Sequence, residues 1–147
     1  MNRRAFLGAG VALAAGLGGC VASDGGEGGE TPTRVTDRSF RDVGACDAPE
    51  TATVGFDAAA SRVRIEGCVT GPNGCSVARL DSATLGDGAL SVVVTTGTTA
   101  GTETACTQAL VSRGYEATVT VDRGVPSSVR VVHDVPGGRE TVANESS

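Results

Sequence analysis

Several residue types that carry chemistry are scarce or missing in this 147-residue chain. It has no lysine, no tryptophan, one histidine (His133) and one tyrosine (Tyr115). A structural zinc site draws on clustered Cys and His. With a single imidazole and no C-x-x-C spacing, that pattern is absent, and no metal or other cofactor is expected. No serine sits in a G-x-S-x-G elbow, and the scattered acidic residues match no calcium loop. No apolar run reaches the roughly 20 residues of a membrane-spanning helix. A surplus of acid, with 17 Asp and Glu against 12 Arg, argues against a nucleic-acid partner. His133-Asp134 offers half a catalytic pair, but neighbours on a strand point to opposite faces. His133 shares parity with Val129 and Val131 near a strand end, so a rim position is expected. Tyr115 is expected in the core with its hydroxyl reaching the edge.

What is present begins with the first twenty residues. Arg3 and Arg4, followed by Phe6, Leu7 and a 13-residue apolar segment from Ala5 to Leu17, have the basic and hydrophobic regions of an export signal. The pair with Phe6 and Leu7 behind it resembles a twin-arginine signal, read by a receptor. Leu17-Gly18-Gly19-Cys20 resembles the lipobox of lipoproteins. That resemblance implies cleavage before Cys20 and a lipid on its thiol, with two chains for firm anchoring. The membrane would then be a partner through Cys20, and the chain would sit on the outer face of the cytoplasmic membrane.

Without Arg3 and Arg4 the remainder has 10 Arg against 17 acidic groups, a net charge of −7. Lysine-free, acidic composition rich in Ala, Gly, Val, Thr and Asp follows either from the codons of a GC-rich genome or from adaptation to concentrated salt. Salt screens the repulsion between such charges within a few ångströms. Four further cysteines, Cys46, Cys68, Cys75 and Cys106, read as a disulfide framework in an exported small domain. The expected pairs are Cys46–Cys68 and Cys75–Cys106; the rival closes Cys68–Cys75 over a turn and leaves Cys46–Cys106 as the long bridge.

Four regions follow: a signal over 1–19, a lipidated Cys with a disordered Gly/Glu/Thr tether over 20–44, a domain over 45–136, and a flexible tail over 137–147. The tether is polar and Gly-rich and would span about 25–30 Å. Within the domain β-branched residues dominate. Ala52, Val54 and Phe56 share one parity, as do Val63 and Ile65, then Tyr115, Ala117, Val119 and Val121, then Val129, Val131 and His133. Each run is a strand with one buried face, whereas Leu90–Val94 is apolar on both faces and so central. Gly71-Pro72-Asn73-Gly74 and Gly86-Asp87-Gly88 mark turns, and Gly97 to Thr104 a flexible loop. Residues Cys106 to Ser112 read as a strand with a bend. About seven strands and no helix give an all-β fold: a small antiparallel two-sheet sandwich, immunoglobulin-like in shape, or alternatively a small open barrel. Glu140 to Val142 could add an edge strand.

From Asn73-Gly74-Cys75 through Cys106-Thr107-Gln108-Ala109-Leu110 and Tyr115 to Val131-Val132-His133-Asp134, the domain resembles uncharacterised small twin-arginine lipoproteins of salt-loving archaea. The resemblance implies location and fold but no activity. Asn144-Glu145-Ser146 fits the N-glycosylation sequon in what reads as an exposed tail. The expectation is a non-enzymatic binding or structural module of the cell envelope, with an envelope protein or a glycan as partner. The alternative is an accessory subunit or inhibitor of a membrane-associated enzyme or transporter.

Overall fold

The structure is a computed structural model, and it describes residues 31–99, 101 and 105–147. The signal residues Arg3, Arg4, Phe6 and Leu7, the lipobox Cys20 and most of the tether lie outside the described residues. So do Ala100 and Thr102 to Thr104 of the loop expected after the fifth strand.

Period-two alternation becomes eight strands among the described residues: β1 (Val35–Ala45), β2 (Thr51–Asp57), β3 (Arg62–Gly71), β4 (Ser76–Gly86), β5 (Ala89–Thr98), β6 (Val111–Val121), β7 (Ser128–Val135) and β8 (Gly138–Ser146). They form two four-stranded sheets, ordered β1-β6-β3-β2 and β4-β5-β7-β8. The sheets do not close on each other, so the fold is a small β-sandwich and the barrel alternative falls away. One row of inward side chains crosses the first sheet as Phe40, Ala117, Ile65 and Val54. Its counterpart in the second sheet is Ala83, Val92, Val131 and Ala143. Ile65, Ala117, Ala83, Val92 and Val131 are core residues, and Phe40, Val54 and Ala143 pack half-buried against them. Small side chains make this a thin core, which a domain of this size often supplements with covalent staples.

Strands β1, β3, β5 and β7 run in one direction and the others return. Among the described residues, one end of the sandwich therefore carries residues 46–50, 72–75, 99, 101, 105–110 and 136–137. The opposite end carries residues 31–34, the β4–β5 turn, residues 122–127 and the C-terminus.

Four expectations change. The chain between Val35 and Ala45 is β1, not tether. Only Val35 and Phe40 of its apolar residues pack, half-buried, against the core, so a charged edge strand leaves little hydrophobic signature. The tail is likewise a strand: β8 buries only Val142 and Ala143 in part, and Asn144 with its sequon is exposed on this strand rather than in loose chain. Residues 106–110 precede β6 instead of forming a strand of their own. Lastly, the sandwich is not wholly antiparallel, because β5 and β7 pair in parallel. The chain leaves the second sheet after β5, runs down the first as β6, and returns beside β5 in the same direction.

Candidate functional site

The polar groups that sequence reading singles out meet between the sheets. β6 turns Tyr115 inward and β7 turns His133 inward, and both are buried, at 1% and 0% exposure. His133 is thus at the centre of the packing and not at its rim, and the Tyr115 hydroxyl does not reach an edge. It lies 2.7 Å from His133 Nε2. On the other side of the ring, His133 Nδ1 lies 2.8 Å from Glu50 Oε1. The second Glu50 oxygen accepts the N–H of Thr70 at 3.0 Å. A carboxylate can only accept, so the imidazole must donate from Nδ1, and Nε2 then accepts the tyrosine O–H. Every group in the chain Tyr115–His133–Glu50–Thr70 is satisfied.

Glu50 is the member that no sequence signal marks. It lies in the short segment between β1 and β2 and takes a φ of 59°, which few non-glycine residues adopt. Three contacts around it fix that conformation. Its N–H donates to the Cys68 carbonyl at 2.7 Å. Cys46 and Cys68 are disulfide-bonded across the segment's base. The Thr51 hydroxyl donates to the Ala48 carbonyl at 2.7 Å. Beneath the tyrosine, a Cβ on Gly67 would run into its ring and hydroxyl and come 2.7 Å from the Thr51 carbonyl oxygen. A glycine inside β3 makes room for the network. Phe40 stacks on Tyr115 with centroids 5.3 Å apart and closes the far side.

Tyr–His–Glu has the order of a nucleophile, base and orienting acid, but its electrostatics oppose that use. Burial, reinforced by the Glu50 charge, pushes the Tyr115 hydroxyl above its ordinary range. Burial also pulls His133 below its ordinary value, outweighing the hydrogen bond and charge of Glu50 and the charge of Glu140. The result is a neutral imidazole and a protonated phenol with no surface of their own. Chemically this is a clamp between sheets.

Two further clusters lie near the same end. Asp42 of β1 accepts two bonds from the Arg113 guanidinium, at 2.6 and 3.0 Å, and the N–H groups of Gly44 and Ala78, each at 2.8 Å. Burial alone would raise Asp42, but the Arg113 bonds and the two amides hold it below the usual carboxylate range. Cys75 is disulfide-bonded to Cys106, and Gly74 donates to the Thr107 carbonyl at 2.9 Å. The two bridges are the pairs chosen from the sequence. No group of three His, Cys, Asp or Glu among the described residues could hold a metal ion. A depression of about 190 Å³ on the outer face of the second sheet, lined in part by Val93, Arg130, Val132 and Arg139, falls short of the roughly 300 Å³ at which small-molecule pockets begin.

Two disulfides are the mark of an oxidising, exported environment. No helix among the described residues is long and apolar enough to cross a membrane. A scan against protein-family models, a search of curated proteins and a search of solved structures each return no match.

Proposed function

We propose that the chain is a lipid-anchored envelope protein whose β-sandwich is a non-catalytic binding or structural module. One observation carries this reading. The only imidazole and the only phenol of the chain are closed inside an inter-sheet clamp, and all four domain cysteines are in disulfides. Hydrolysis or group transfer generally relies on an accessible nucleophile with a base, paired carboxylates or a metal. A disulfide has no thiolate to offer, and a buried, hydrogen-bonded imidazole cannot reach a substrate. The surface retains polar loops and exposed strands, which suit contact with an envelope protein or a glycan. The lipobox-like Leu17-Gly18-Gly19-Cys20 supports the anchor and the Arg3-Arg4 pair the export route.

Fractionation of cells carrying Cys20→Ser, combined with generic esterase, protease, glycosidase and phosphatase assays at high salt, tests both parts. The expected result is export without membrane association, and no turnover. Sedimentation of the variant with membranes refutes the anchor; turnover by the purified, folded protein refutes the module.

A further inference from the structure

An exposed strand edge is a row of unpaired N–H and C=O groups, and natural sheets defend such edges with charge, bulges or covering side chains. Among the described residues, three of the four sheet edges are defended. β1 carries Asp37, Arg38, Arg41 and Asp42 and has two register shifts. β4 carries Arg79 and Asp81, is bulged between Leu80 and Ser82, and has its Ala78 N–H and Ala83 carbonyl covered by Asp42 and Arg38 of β1. β8 carries Arg139, Glu140 and Glu145 and is interrupted in its register with β7 between Val131 and Val132.

β2 has none of these. It reads Thr51-Ala52-Thr53-Val54-Gly55-Phe56-Asp57, with no charge before its last residue and no proline. Its register with β3 is unbroken over all seven positions. Its inward residues Ala52, Val54 and Phe56 remain only half-buried. In a chain with 29 charged residues among 147, an uncharged edge between defended ones calls for a cover.

We infer that β2 is a dimerisation edge, on which a second copy of this chain adds its own β2 antiparallel, joining the two four-stranded sheets into one. The sequence of the strand is self-complementary about Val54. A two-fold axis there sets Val54 opposite its partner copy, Ala52 opposite Phe56, Thr53 opposite Gly55 and Thr51 opposite Asp57. No like charges meet, and the half-buried apolar row is continued across the axis. Facing apolar side chains such as Ala52 and Phe56 stabilise a sheet, and Thr53 meets Gly55 with no bulk or charge to oppose the approach. An isologous contact of this kind closes after two copies and does not propagate.

Sedimentation of the exported full chain carrying Cys20→Ser, over a range of concentrations, tests this. The wild-type edge is expected to give a concentration-dependent dimer. Thr53→Lys with Gly55→Lys sets like charges opposite each other twice, and should weaken association on the order of tenfold. A side chain at Gly55 meets nothing within 4 Å, so the fold tolerates it. Thr53→Lys with Gly55→Glu sets opposite charges in the same register, and should restore the dimer. A monomer at every concentration overturns the inference, as does a dimer that survives the double lysine change. Failure of the Lys/Glu combination to associate overturns the register. A monomer that instead takes up an extended strand of another envelope protein assigns the edge to that partner, against self-pairing.

Discussion

The two ends of the sandwich are closed by different chemistry. At one end lie both disulfides, the Tyr115–His133–Glu50 clamp and the Asp42–Arg113 cluster. At the other the chain arrives through Thr31 to Arg34 and is held by one residue, Asp122, whose own N–H donates to the Arg34 carbonyl at 3.1 Å. Asp122 accepts the Thr33 N–H at 2.9 Å, the Thr33 hydroxyl at 2.6 Å and the Arg34 N–H at 3.3 Å. Arg34 and Arg123 lie 3.9 and 3.4 Å from it, and beside it Ser127 ties residues 122–127 to the Gly88 carbonyl at 2.8 Å. Covalent bonds and a buried imidazole make the first end sensitive to reductant and to mild acid. The second has no thiol and no imidazole, so neither agent touches it directly. The contrast teaches that a thin core can be completed locally by quite different means, and that each leaves its own signature.

The largest expected effect comes from the covalent contacts. The bridges close loops with sequence separations of 22 and 31, and loop entropy assigns each roughly 3–4 kcal/mol, slightly more to the longer. The clamp reverses that order. Replacing Cys46 and Cys68 by Ala frees the segment that holds Glu50 at its left-handed φ, and so also loosens His133. Replacing Cys75 and Cys106 frees only surface loops. Thermal unfolding of the two pair variants should show the larger loss for Cys46–Cys68. An equal or smaller loss would mean that Glu50 keeps its place without the bridge.

How far the sequence discloses this arrangement varies by element. The central strands announce themselves because Val63, Ile65, Val119 and Val131 repeat every second residue with polar neighbours between. β1 and β8 do not, because an edge strand over a thin core needs only one or two apolar side chains, and charge fills the rest. Parity placed Tyr115 and His133 on inward faces, which is enough to ask for a hydrogen-bond partner for each. It cannot show that the two rows face each other, since that depends on how β6 and β7, in different sheets, are stacked. Glu50 was beyond reach, because its position comes from a disulfide and a strained dihedral. The Cys46–Cys68 pair was within reach only as one of three connectivities.

A second, smaller effect tests the clamp itself. Tyr115→Phe keeps the ring, the stacking on Phe40 and the fit over Gly67, and removes only the hydroxyl. His133 Nε2 then remains buried without a donor, a loss of about 1–3 kcal/mol. Chemical denaturation should show it with no change in the slope against denaturant. A negligible change would mean that water or another donor replaces the hydroxyl, and the end would be held by its bridges alone.

The gentlest way to separate the two ends is pH. Burial holds the folded-state value of His133 below its ordinary 6.5. Above 6.5 neither the folded nor the unfolded chain binds that proton, and the clamp contributes fully. Below it the unfolded chain takes up a proton that the folded chain refuses, so stability declines as pH falls, by at most about 1.4 kcal/mol per unit. Asp122 is also depressed, by the Thr33 hydroxyl and N–H first and then by Arg34 and Arg123. Its ordinary value is about 3.9, so its contribution is intact above that and is lost only in stronger acid. Between pH 7.5 and 5 the protein should therefore weaken at the disulfide end while the amides of Thr33 and Arg34 keep their exchange protection. Asp122→Asn should do the reverse, lowering protection at Thr33 and Arg34 at both pH values and leaving the slope of stability against pH unchanged. Denaturant unfolding and amide exchange at the two pH values measure both. Stability that is flat from pH 7.5 to 5 would remove His133 as the sensitive group, and unchanged protection at Thr33 in the Asp122 variant would remove the carboxylate as the hold on the arriving chain.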